Sequence, residues 1–315
     1  MIAAETTRRT FIGGAMIGLL SACGGSKGTA SANTLFAGDQ RGGSQVVLEA
    51  SKNLDDLPYR IEWSAFPNAA PLLEALNAGA IDTGIGGDAA FIFAIGSGAS
   101  IKAIGAQKSD GRGPVIVVRD NSPIRTLKDI AGRRIATPRG SISHNYVLAA
   151  LEANGQPYDA VHFAFLSPSD GRAALQSGSV DGWAIWDPNA ALAEREGARV
   201  LTGGEGLAPG YSFMFGRDGA IREKRAILSD YHRRLYAGWQ WQADNRDAYA
   251  ELMHRETGID LAIWQKVARS SRRHPVPITA DVIAEEQKTA DRYFHAKLLA
   301  RQIDVSKSFD MSFSA

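Results

Sequence analysis

The fold is decided by a pattern that occurs twice along the chain, as ALNAGAIDTGI at residues 75–85 and as ALQSGSVDGWA at residues 174–184. Each copy is typical of the end of an amphipathic helix, a glycine suited to the left-handed conformation that ends a helix, a turn carrying Asp, and a short buried strand. Each strand then leads into a polar junction that begins another helix. We therefore predict that one helix-turn-strand unit is used twice, in two similar lobes.

Strands that alternate with helices predict α/β layers with largely parallel sheets. A second, weaker similarity agrees with this prediction. RGGS at residues 41–44 and RGS at residues 139–141 each follow a short apolar strand and precede an apolar helix. Binding sites in open α/β sheets lie beyond the carboxyl ends of the strands. If the two lobes face each other, all four strand-to-helix junctions border one cleft.

Apolar strands next to glycine-rich loops predict where the chain passes between the lobes. We expect the first crossing at residues 114–118 and the return at residues 211–215. Lobe 1 would then comprise residues 34–116 and 216–315, and lobe 2 residues 117–215. Helical spacing follows the return crossing, in segments around residues 226–241, 246–256, 261–270 and 279–299, and these helices are expected to cover lobe 1.

The composition is that of a globular protein, with 315 residues, of which 44% are hydrophobic and 22% charged, and a formal net charge of +1. Binding to phosphate backbones or anionic surfaces needs clustered Lys and Arg. This balance gives no reason to expect nucleic acid or a charged membrane surface as partner. Any anion site must therefore be local.

The start of the chain is typical of an export signal. An arginine pair at residues 8–9 precedes an uncharged run at residues 11–22 that is too short to span a membrane as a stable helix. TRRTFI at residues 7–12 resembles a twin-arginine signal, but arginine pairs also occur in ordinary signals, so the export route stays open. LSAC at residues 20–23 resembles a lipoprotein lipobox, whose cysteine is acylated and becomes the mature N-terminus. We therefore predict a lipoprotein signal peptide at residues 1–23 and a flexible tether at residues 24–33, with the lipid as the only membrane anchor.

Searches for catalytic motifs fail. Cys23 is the one cysteine in the sequence, which excludes an internal disulfide framework, a CxxC site and, once the signal is processed, a nucleophilic cysteine within the fold. GxSxG, HExxH and EF-hand patterns are absent, and the six histidines show no metal-ligand spacing. His232 and His254 are expected to be solvent-exposed. These absences favour binding over turnover, with no cofactor and no metal.

The junction RGSISHNYVL, at residues 139–148, has the composition of an anion pocket. Unpaired amides in a first helical turn point outward, and the helix dipole adds roughly half a positive charge there. Ser141 and Ser143 supply hydroxyls, although either one could serve only as the N-cap. His144 is unusual in a first turn, where Asp or Glu is better suited. The combination favours a ligand, and Ser143 with the adjoining amides is the expected direct contact.

The other junctions each carry an acid. GIGGDA at residues 84–89 fails the GxGxxG dinucleotide pattern because Ala89 stands where the third glycine would be, so Asp88 is interpreted as a helix cap that could also face the cleft. IWDP at residues 185–188 supplies an aromatic face, a capping acid and a helix-starting proline. Trp183 is expected in the core. Trp186, at the strand end, is a candidate for the cleft wall.

Several motifs resemble those of the aliphatic-sulfonate-binding proteins of ABC importers, within the nitrate, taurine and sulfonate group of substrate-binding proteins. The motifs are IEWSAFP at residues 61–67, LLEALNAGAID at 72–82, GDA at 87–89, RGS and HN at 139–141 and 144–145, IWDP at 185–188, and IT and AD at 278–279 and 290–291. The resemblance runs nearly from Leu35 to Val305. Two departures leave the fine shape of the junctions open: Ala90 stands where the family often has proline, and Ile142 separates two serines that are often adjacent.

This resemblance implies a two-lobed periplasmic-binding-protein fold of type II, with two crossover strands and the ligand cleft between the lobes. It implies a protein of the periplasm, or of the outer face of the cytoplasmic membrane, that closes over a small sulfonate or related organosulfur anion. The ligand would be delivered to the permease and ATPase subunits of an ABC transporter. Carried over by position, the pocket residues are Gln40, Gly87, Asp88 with Ala89 beside it, Ser141, Ser143, His144, Trp186 and Asp187.

A sulfonate stays anionic at any physiological pH, so fixed amides and hydroxyls suffice to bind it. Its organic tail would gain from contact with Phe66 or Trp186. Taurine, nitrate and an aromatic or thiamine-precursor ligand are alternatives on the same fold, and the aromatic ligand would also use Trp186. A desulfinase-like enzyme is the alternative from another class. Related desulfinases depend on a cysteine nucleophile, which disfavours that alternative because the one cysteine here lies in the signal.

Overall fold

The computed structural model describes residues 33–40, 42–201, 206–207 and 210–313. The predicted signal peptide, its candidate lipidation site Cys23, residues 24–32 of the predicted tether, and Arg41 lie outside the described residues. None of the helices within the described ranges is long and apolar enough to cross a membrane.

The elements alternate along the first two thirds of the chain, and helices dominate the last third. The strands in the described ranges are β1 (Thr34–Gln40), β2 (Arg60–Phe66), β3 (Thr83–Gly87), β4 (Ile101–Gly111), β5 (Val115–Arg119), β6 (Arg134–Thr137), β7 (His162–Phe165), β8 (Gly182–Ile185), β9 (Ala198–Val200), β10 (Tyr211–Arg217) and β11 (Ser271–Val276). The α-helices in those ranges are α1 (Ser44–Ala50), α2 (Ala69–Asn77), α3 (Asp88–Gly96), α4 (Ile142–Ala153), α5 (Pro168–Ser177), α6 (Asn189–Arg195), α7 (Asp218–Glu223), α8 (Arg225–Asp244), α9 (Arg246–Thr257), α10 (Leu261–Ser270) and α11 (Ala280–His295). Short 3-10 turns cover residues 127–130, 305–308 and 311–313.

The strands form two separate sheets, as the duplicated pattern predicts. One has six strands in the order β11-β4-β10-β3-β1-β2, and the other has five in the order β7-β6-β8-β5-β9. In the first sheet β1 pairs in parallel with β2 and β3, and in the second β6 pairs in parallel with β7 and β8. The strands β10, β4 and β11, and likewise β5 and β9, complete the sheets through antiparallel pairs.

The two copies of the repeated unit have the same structure. Gly79 after α2 and Gly178 after α5 are left-handed, with φ of 78° and 81°, so the predicted helix ends are confirmed. The Asp of each copy holds the neighbouring parallel strand in place: Asp82 Oδ2 accepts from Phe36 N at 3.0 Å, and Asp181 Oδ2 accepts from Arg134 N at 2.9 Å. The repeat therefore specifies a strand contact as well as a turn.

The crossings between the sheets lie at different residues from those expected. β5 belongs wholly to the second sheet, and β10, expected in lobe 2 up to residue 215, lies wholly in the first sheet between β3 and β4. Phe213 and Phe215 are fully buried there, which explains the placement of the strand. We therefore propose a division in which lobe 1 comprises residues 34–111 and 211–313 and lobe 2 comprises residues 115–200, and we use these names below.

The last third of the chain contains the four predicted helices, as α8 to α11. The expectation that His232 is solvent-exposed was wrong, because this α8 side chain is only 7% exposed and packs on Tyr236 with ring centroids 4.1 Å apart. The edge strand β11, which pairs with β4, was not predicted from the sequence. Its SRRHPV sequence has two exposed arginines and lacks the apolar alternation that marks a half-buried strand.

Candidate functional site

Every predicted pocket residue lies at the carboxyl end of a strand, in the junction that follows it, or in the first turn of the next helix. Gln40 and Phe66 end the neighbouring strands β1 and β2 and are paired in register. Gln40 Nε2 donates to the Ile85 carbonyl at 3.0 Å, which ties the end of β1 to β3. Phe66 is partly buried against the lobe 1 core. These two residues therefore lie side by side at the ends of neighbouring strands.

Asp88 differs from its predicted role as a helix cap. Gly87 occupies the N-cap position of α3, and Asp88 is the first residue of the helix. The Asp88 side chain is fully buried; its Oδ1 accepts from Ala89 N at 2.5 Å, and its Oδ2 has no hydrogen-bond partner in the described part of the chain. Burial raises the pKa of Asp88 to about 7, against the opposing effects of the Ala89 amide and Arg292.

Gly87 and Ala89 present different environments on either side of Asp88. A Cβ built on Gly87 would meet nothing within 4 Å, so the backbone at this position borders open space. Ala89 is fully buried and packs in the lobe 1 core. The backbone of Gly87, and not the Ala89 side chain, is therefore accessible to a ligand.

The two serines of the lobe 2 junction have separate roles. Ser141 is the N-cap of α4, and its Oγ accepts from His144 N at 3.2 Å. Ser143 is fully buried, and its Oγ has no hydrogen-bond partner among the described residues. A buried hydroxyl without a partner costs about 1–3 kcal/mol, so this group is suited to bind something that the protein itself does not supply.

His144 is a neutral donor in the same helical turn. Its Nδ1 accepts from Gly140 N at 3.2 Å, which leaves the proton on Nε2, and Nε2 has no partner within the described chain. The ring packs edge-on against Phe163 and Phe165, at 4.7 and 5.1 Å between centroids. Burial, with a smaller effect from Arg139, lowers the pKa of His144 to about 4. The imidazole is therefore uncharged at neutral pH.

The third junction follows β8. Trp183 is fully buried in the lobe 2 core, as expected, and Trp186 is partly buried beside the same core. Asp187 Oδ1 accepts from Ala191 N in α6 at 3.1 Å, and its Oδ2 lies 3.7 Å from Arg112 Nε. Burial raises the pKa of Asp187, and Arg112 opposes this. Asp187 is therefore engaged in capping α6 and in binding an arginine of the first crossing.

The helix α11, which was not predicted to be near the site, joins the two lobes beside these junctions. It packs on both α3 and α4. Tyr293 Oη donates to the Ser141 carbonyl at 3.3 Å, Arg292 Nη1 donates to Asn145 Oδ1 at 2.8 Å, and Asn145 Nδ2 donates to Thr289 Oγ1 at 3.4 Å. We call this contact of α3, α4 and α11 the seam.

Ion pairs join the lobes at a second place, between α6 and α10. Glu194 of α6 binds Lys266 of α10, and it also binds Arg112 at 3.0 Å. Arg195 of α6 binds Asp260, the N-cap of α10, at 2.8 Å. These ion pairs join the lobes and were not predicted, because they are formed by residues far apart in sequence.

Some of the buried polar atoms without partners lie near the junctions. In the described residues these atoms include Thr137 Oγ1, Ser143 Oγ and His144 Nε2 on the lobe 2 side, and Asp88 Oδ2 and both Glu286 oxygens on the lobe 1 side. The described residues contain no group of three His, Cys, Asp or Glu that could hold a metal ion. A surface depression of about 260 Å³ on lobe 2 includes none of the predicted pocket residues. In the first turn of α4, two of these atoms belong to one buried pair of neighbouring side chains, Ser143 and the neutral His144.

Comparisons with known proteins agree with this arrangement. Residues 64–204 match the family model described as NMT1/THI5 like. The chain is 33% identical over 283 residues to an aliphatic sulfonates-binding protein of Escherichia coli (strain K12), covering 87% of this chain and 88% of that protein. It superposes with a TM-score of 0.81 on the alkanesulfonate-binding protein SsuA from Xanthomonas axonopodis pv. citri bound to MOPS, at 29% identity, covering 88% of this chain and 98% of that chain.

A desulfurization enzyme shares the fold, with a TM-score of 0.66 over 89% of this chain, but at 20% identity that likeness shows the fold alone. The similar proteins with higher identity are binding proteins, which is consistent with the failure to find catalytic motifs. The fold is the two-lobed periplasmic-binding-protein fold that the motifs predicted. By this identity and coverage, the chain belongs to the family of aliphatic-sulfonate-binding proteins.

Proposed function

We propose that this chain is the extracytoplasmic solute-binding protein of an ABC importer and that it binds an aliphatic sulfonate or a related organosulfur anion between its lobes. The observation that carries this proposal is the first turn of α4, where the fully buried Ser143 Oγ and the neutral His144 Nε2–H have no partners in the described chain. Both are donors at the positive end of a helix dipole, which suits an anion.

The Ser143 and His144 donors would bind the anion without a change in their own protonation. His144 is neutral at physiological pH, so it contributes a hydrogen bond and not a charge. Hydrogen bonds to a charged group contribute about 1.5–3 kcal/mol each, and closure of the lobes strengthens them by excluding water. The organic tail would lie against Phe66 and Trp186, which are partly buried at the ends of β2 and β8. Asp187, whose carboxylate is engaged by Ala191 N and Arg112, shapes the wall beside Trp186.

Calorimetric titration of the purified protein tests the proposal with a panel of alkanesulfonates, an aromatic sulfonate, taurine and nitrate. We expect saturable binding of at least one alkanesulfonate, with weaker binding of nitrate because it has no tail. If none of these anions binds, the proposal is wrong. Preference for the aromatic compound or taurine would keep the class of protein and change the ligand.

Partners and location follow from the same proposal. The ligand would be passed to the permease and ATPase subunits of an ABC transporter after export from the cytoplasm. Acylation of Cys23 would hold the protein at the outer face of the cytoplasmic membrane, and the arginine pair at residues 8–9 is compatible with the twin-arginine route as well as with an ordinary export signal. Radiolabelled fatty acid should be incorporated by the native chain and not by Cys23→Ser; equal labelling would contradict the lipid anchor.

A further inference from the structure

Arg112 lies in the first crossing between the lobes and is bound to both of them. Its backbone N donates to the carbonyl of Ser270, the last residue of α10 in lobe 1, at 2.9 Å. Its side chain extends into lobe 2, where Nη1 donates to Glu194 Oε2 at 3.3 Å and Nη2 lies 3.0 Å from Glu194 Oε1. The same guanidinium meets a second carboxylate, because Nε lies 3.7 Å from Asp187 Oδ2. One arginine therefore connects lobe 1 with two acidic side chains of lobe 2.

The pair with Asp187 involves the wall of the proposed ligand site. Asp187 directly follows Trp186, the aromatic residue after β8 against which the tail of the ligand would lie. Asp187 Oδ1 accepts from Ala191 N at 3.1 Å, so the carboxylate is held by α6 through one oxygen and by Arg112 through the other. Trp186 is only partly buried beside the lobe 2 core. Core packing covers only part of this tryptophan, and the orientation of Asp187 therefore contributes to its position.

The guanidinium of Arg112 lies between two carboxylates that repel each other. Burial raises the pKa of Asp187, Arg112 opposes this most strongly, and Glu194 raises the pKa further. The pairs depend mainly on charge, because Arg112 Nε and Nη2 have no well-aligned hydrogen bond in the described chain. The Asp187 and Glu194 side chains are only 11% and 18% exposed, so water screens their repulsion poorly.

Loss of the guanidinium would act on the two carboxylates unequally. Glu194 is fixed within α6 and keeps its pair with Lys266. Asp187 lies in the junction before α6 and forms its one ion pair within the described residues with Arg112. Repulsion would therefore move Asp187 more than Glu194, and Trp186 would move with it.

We propose that Arg112 is a positioning residue of the ligand site, which holds Asp187, and through it Trp186, in the place where the tail of a bound sulfonate packs. The effect on binding rests on the proposed function, whereas the effect on Trp186 does not. The anion is bound at a different junction, by Ser143 and His144, and Arg112 forms no hydrogen bond or ion pair with either residue in the described chain. Loss of the Arg112 charge would change the affinity of every sulfonate by a similar factor. The dependence of affinity on the tail therefore isolates the positioning role.

The test compares Arg112→Gln with the native chain and with the matched control Arg195→Gln, which breaks a pair between α6 and α10 without touching Asp187. Affinities for ethanesulfonate and for octanesulfonate are measured by calorimetric titration. We expect Arg112→Gln to lower the affinity for octanesulfonate about 3- to 30-fold more than that for ethanesulfonate, because only the longer tail packs fully on Trp186. Arg195→Gln should change both affinities by the same factor, since it leaves the wall beside Trp186 intact.

A second measurement needs no ligand. Protein labelled with fluorotryptophan is studied by fluorine NMR, and the Trp186 resonance is assigned by its loss in Trp186→Phe. We expect this resonance to shift or broaden in Arg112→Gln and to stay in place in Arg195→Gln. Arg112→Lys is the second variant if Arg112→Gln fails to fold. Its ammonium lacks the planar fork that reaches both carboxylates, so it should change the same resonance and weaken octanesulfonate binding preferentially.

Equal losses of affinity for the two sulfonates in Arg112→Gln, or an unchanged Trp186 resonance, would overturn the inference. The same tail-dependent loss in Arg195→Gln would also overturn it, because any weakened contact between the lobes would then suffice. If the native chain binds no sulfonate, the proposed function fails, and with it the effect of Arg112 on binding. The fluorine resonance would then still decide whether Arg112 holds Trp186 in place.

Discussion

Ser141 and Ser143 are separated by one residue and have different physical roles. Ser141 accepts from the backbone of its own helix, whereas Ser143 is buried with an unpaired hydroxyl among the described residues. A cap contributes to the stability of the helix. An unpaired buried donor contributes to stability only when a ligand is present.

This difference predicts opposite effects for two alanine substitutions. Ser141→Ala should lower the free energy of unfolding by about 1 kcal/mol through the loss of the cap. Ser143→Ala should leave stability nearly unchanged and weaken sulfonate affinity about 10- to 100-fold, because one hydrogen bond to a charged group is lost. Urea denaturation and calorimetric titration of both variants measure the two quantities. The reverse pattern would remove Ser143 from the site.

Which serine has which role could not be read from the sequence. Both lie at the start of α4, and the choice depends on which hydroxyl faces the His144 amide. The raised pKa of Asp88 could not be predicted from the sequence either. It comes from burial beneath α11, about two hundred residues later in the chain. The one local signal of that contact was Glu286 itself, a carboxyl in a stripe of otherwise uncharged buried positions at helical spacing.

At the scale of elements, the close approach of α3 and α4 depends on one glycine. Gly140, just before the cap of α4, is left-handed with φ of 68°, and a Cβ there would lie 2.9 Å from Phe93 Cδ2 of α3. Gly155, just after α4, is left-handed with φ of 66°, and a Cβ there would meet nothing within 4 Å. Alanine at either position would have a strained left-handed backbone, but only alanine at Gly140 would also clash with Phe93.

Alanine at each position separates the two effects. Gly155→Ala should cost about 1 kcal/mol of stability, the price of a left-handed alanine. Gly140→Ala should cost about 1–3 kcal/mol more and also weaken sulfonate binding, because the clash with Phe93 pushes α4 away from α3. Thermal unfolding and calorimetric titration of both variants check this expectation. Equal losses of stability, with affinity unaffected, would show that the α3–α4 contact does not matter.

The elements themselves were the most predictable level of the structure. Gly79 and Gly178 end their helices as local sequence predicted, because a left-handed turn needs only its own residues. The polar strand β11 and the boundaries of the lobes were less predictable. Both depend on strands that pair with β4, namely β10 and β11, which are distant from β4 in sequence. Hydrophobic periodicity does not indicate which distant strand is the partner.

At the scale of the whole molecule, the lobes are joined at the seam and again between α6 and α10. The second contact consists of ion pairs around Glu194, whose side chain is partly buried. Burial alone would raise the pKa of Glu194, but Lys266 and Arg112 outweigh it and lower the pKa, so this carboxylate stays charged. The contact between α6 and α10 therefore depends on charge.

Glu194→Gln should speed the release of a bound sulfonate about two- to fivefold, because it removes pairs between the lobes. The control is Glu196→Gln, which breaks a pair with Arg172 inside lobe 2 and should leave release unchanged. Stopped-flow dissociation at low and high salt measures both variants. The difference from the native chain should shrink in high salt, since partly exposed charges are screened. Identical rates at low salt would contradict a role in closure.

The position of β10 has a consequence for how the chain is assembled. This strand lies between β3 and β4 in the lobe 1 sheet, yet it follows the whole of lobe 2 in the sequence. Lobe 2 is continuous and can form its own sheet as soon as it is synthesised, whereas the edges of β3 and β4 stay unpaired until residues 211–217 arrive between them. Because pairings that span long stretches of chain form slowly and leave open edges exposed to aggregation, completion of the lobe 1 sheet is the step of folding at which a newly made chain is most vulnerable.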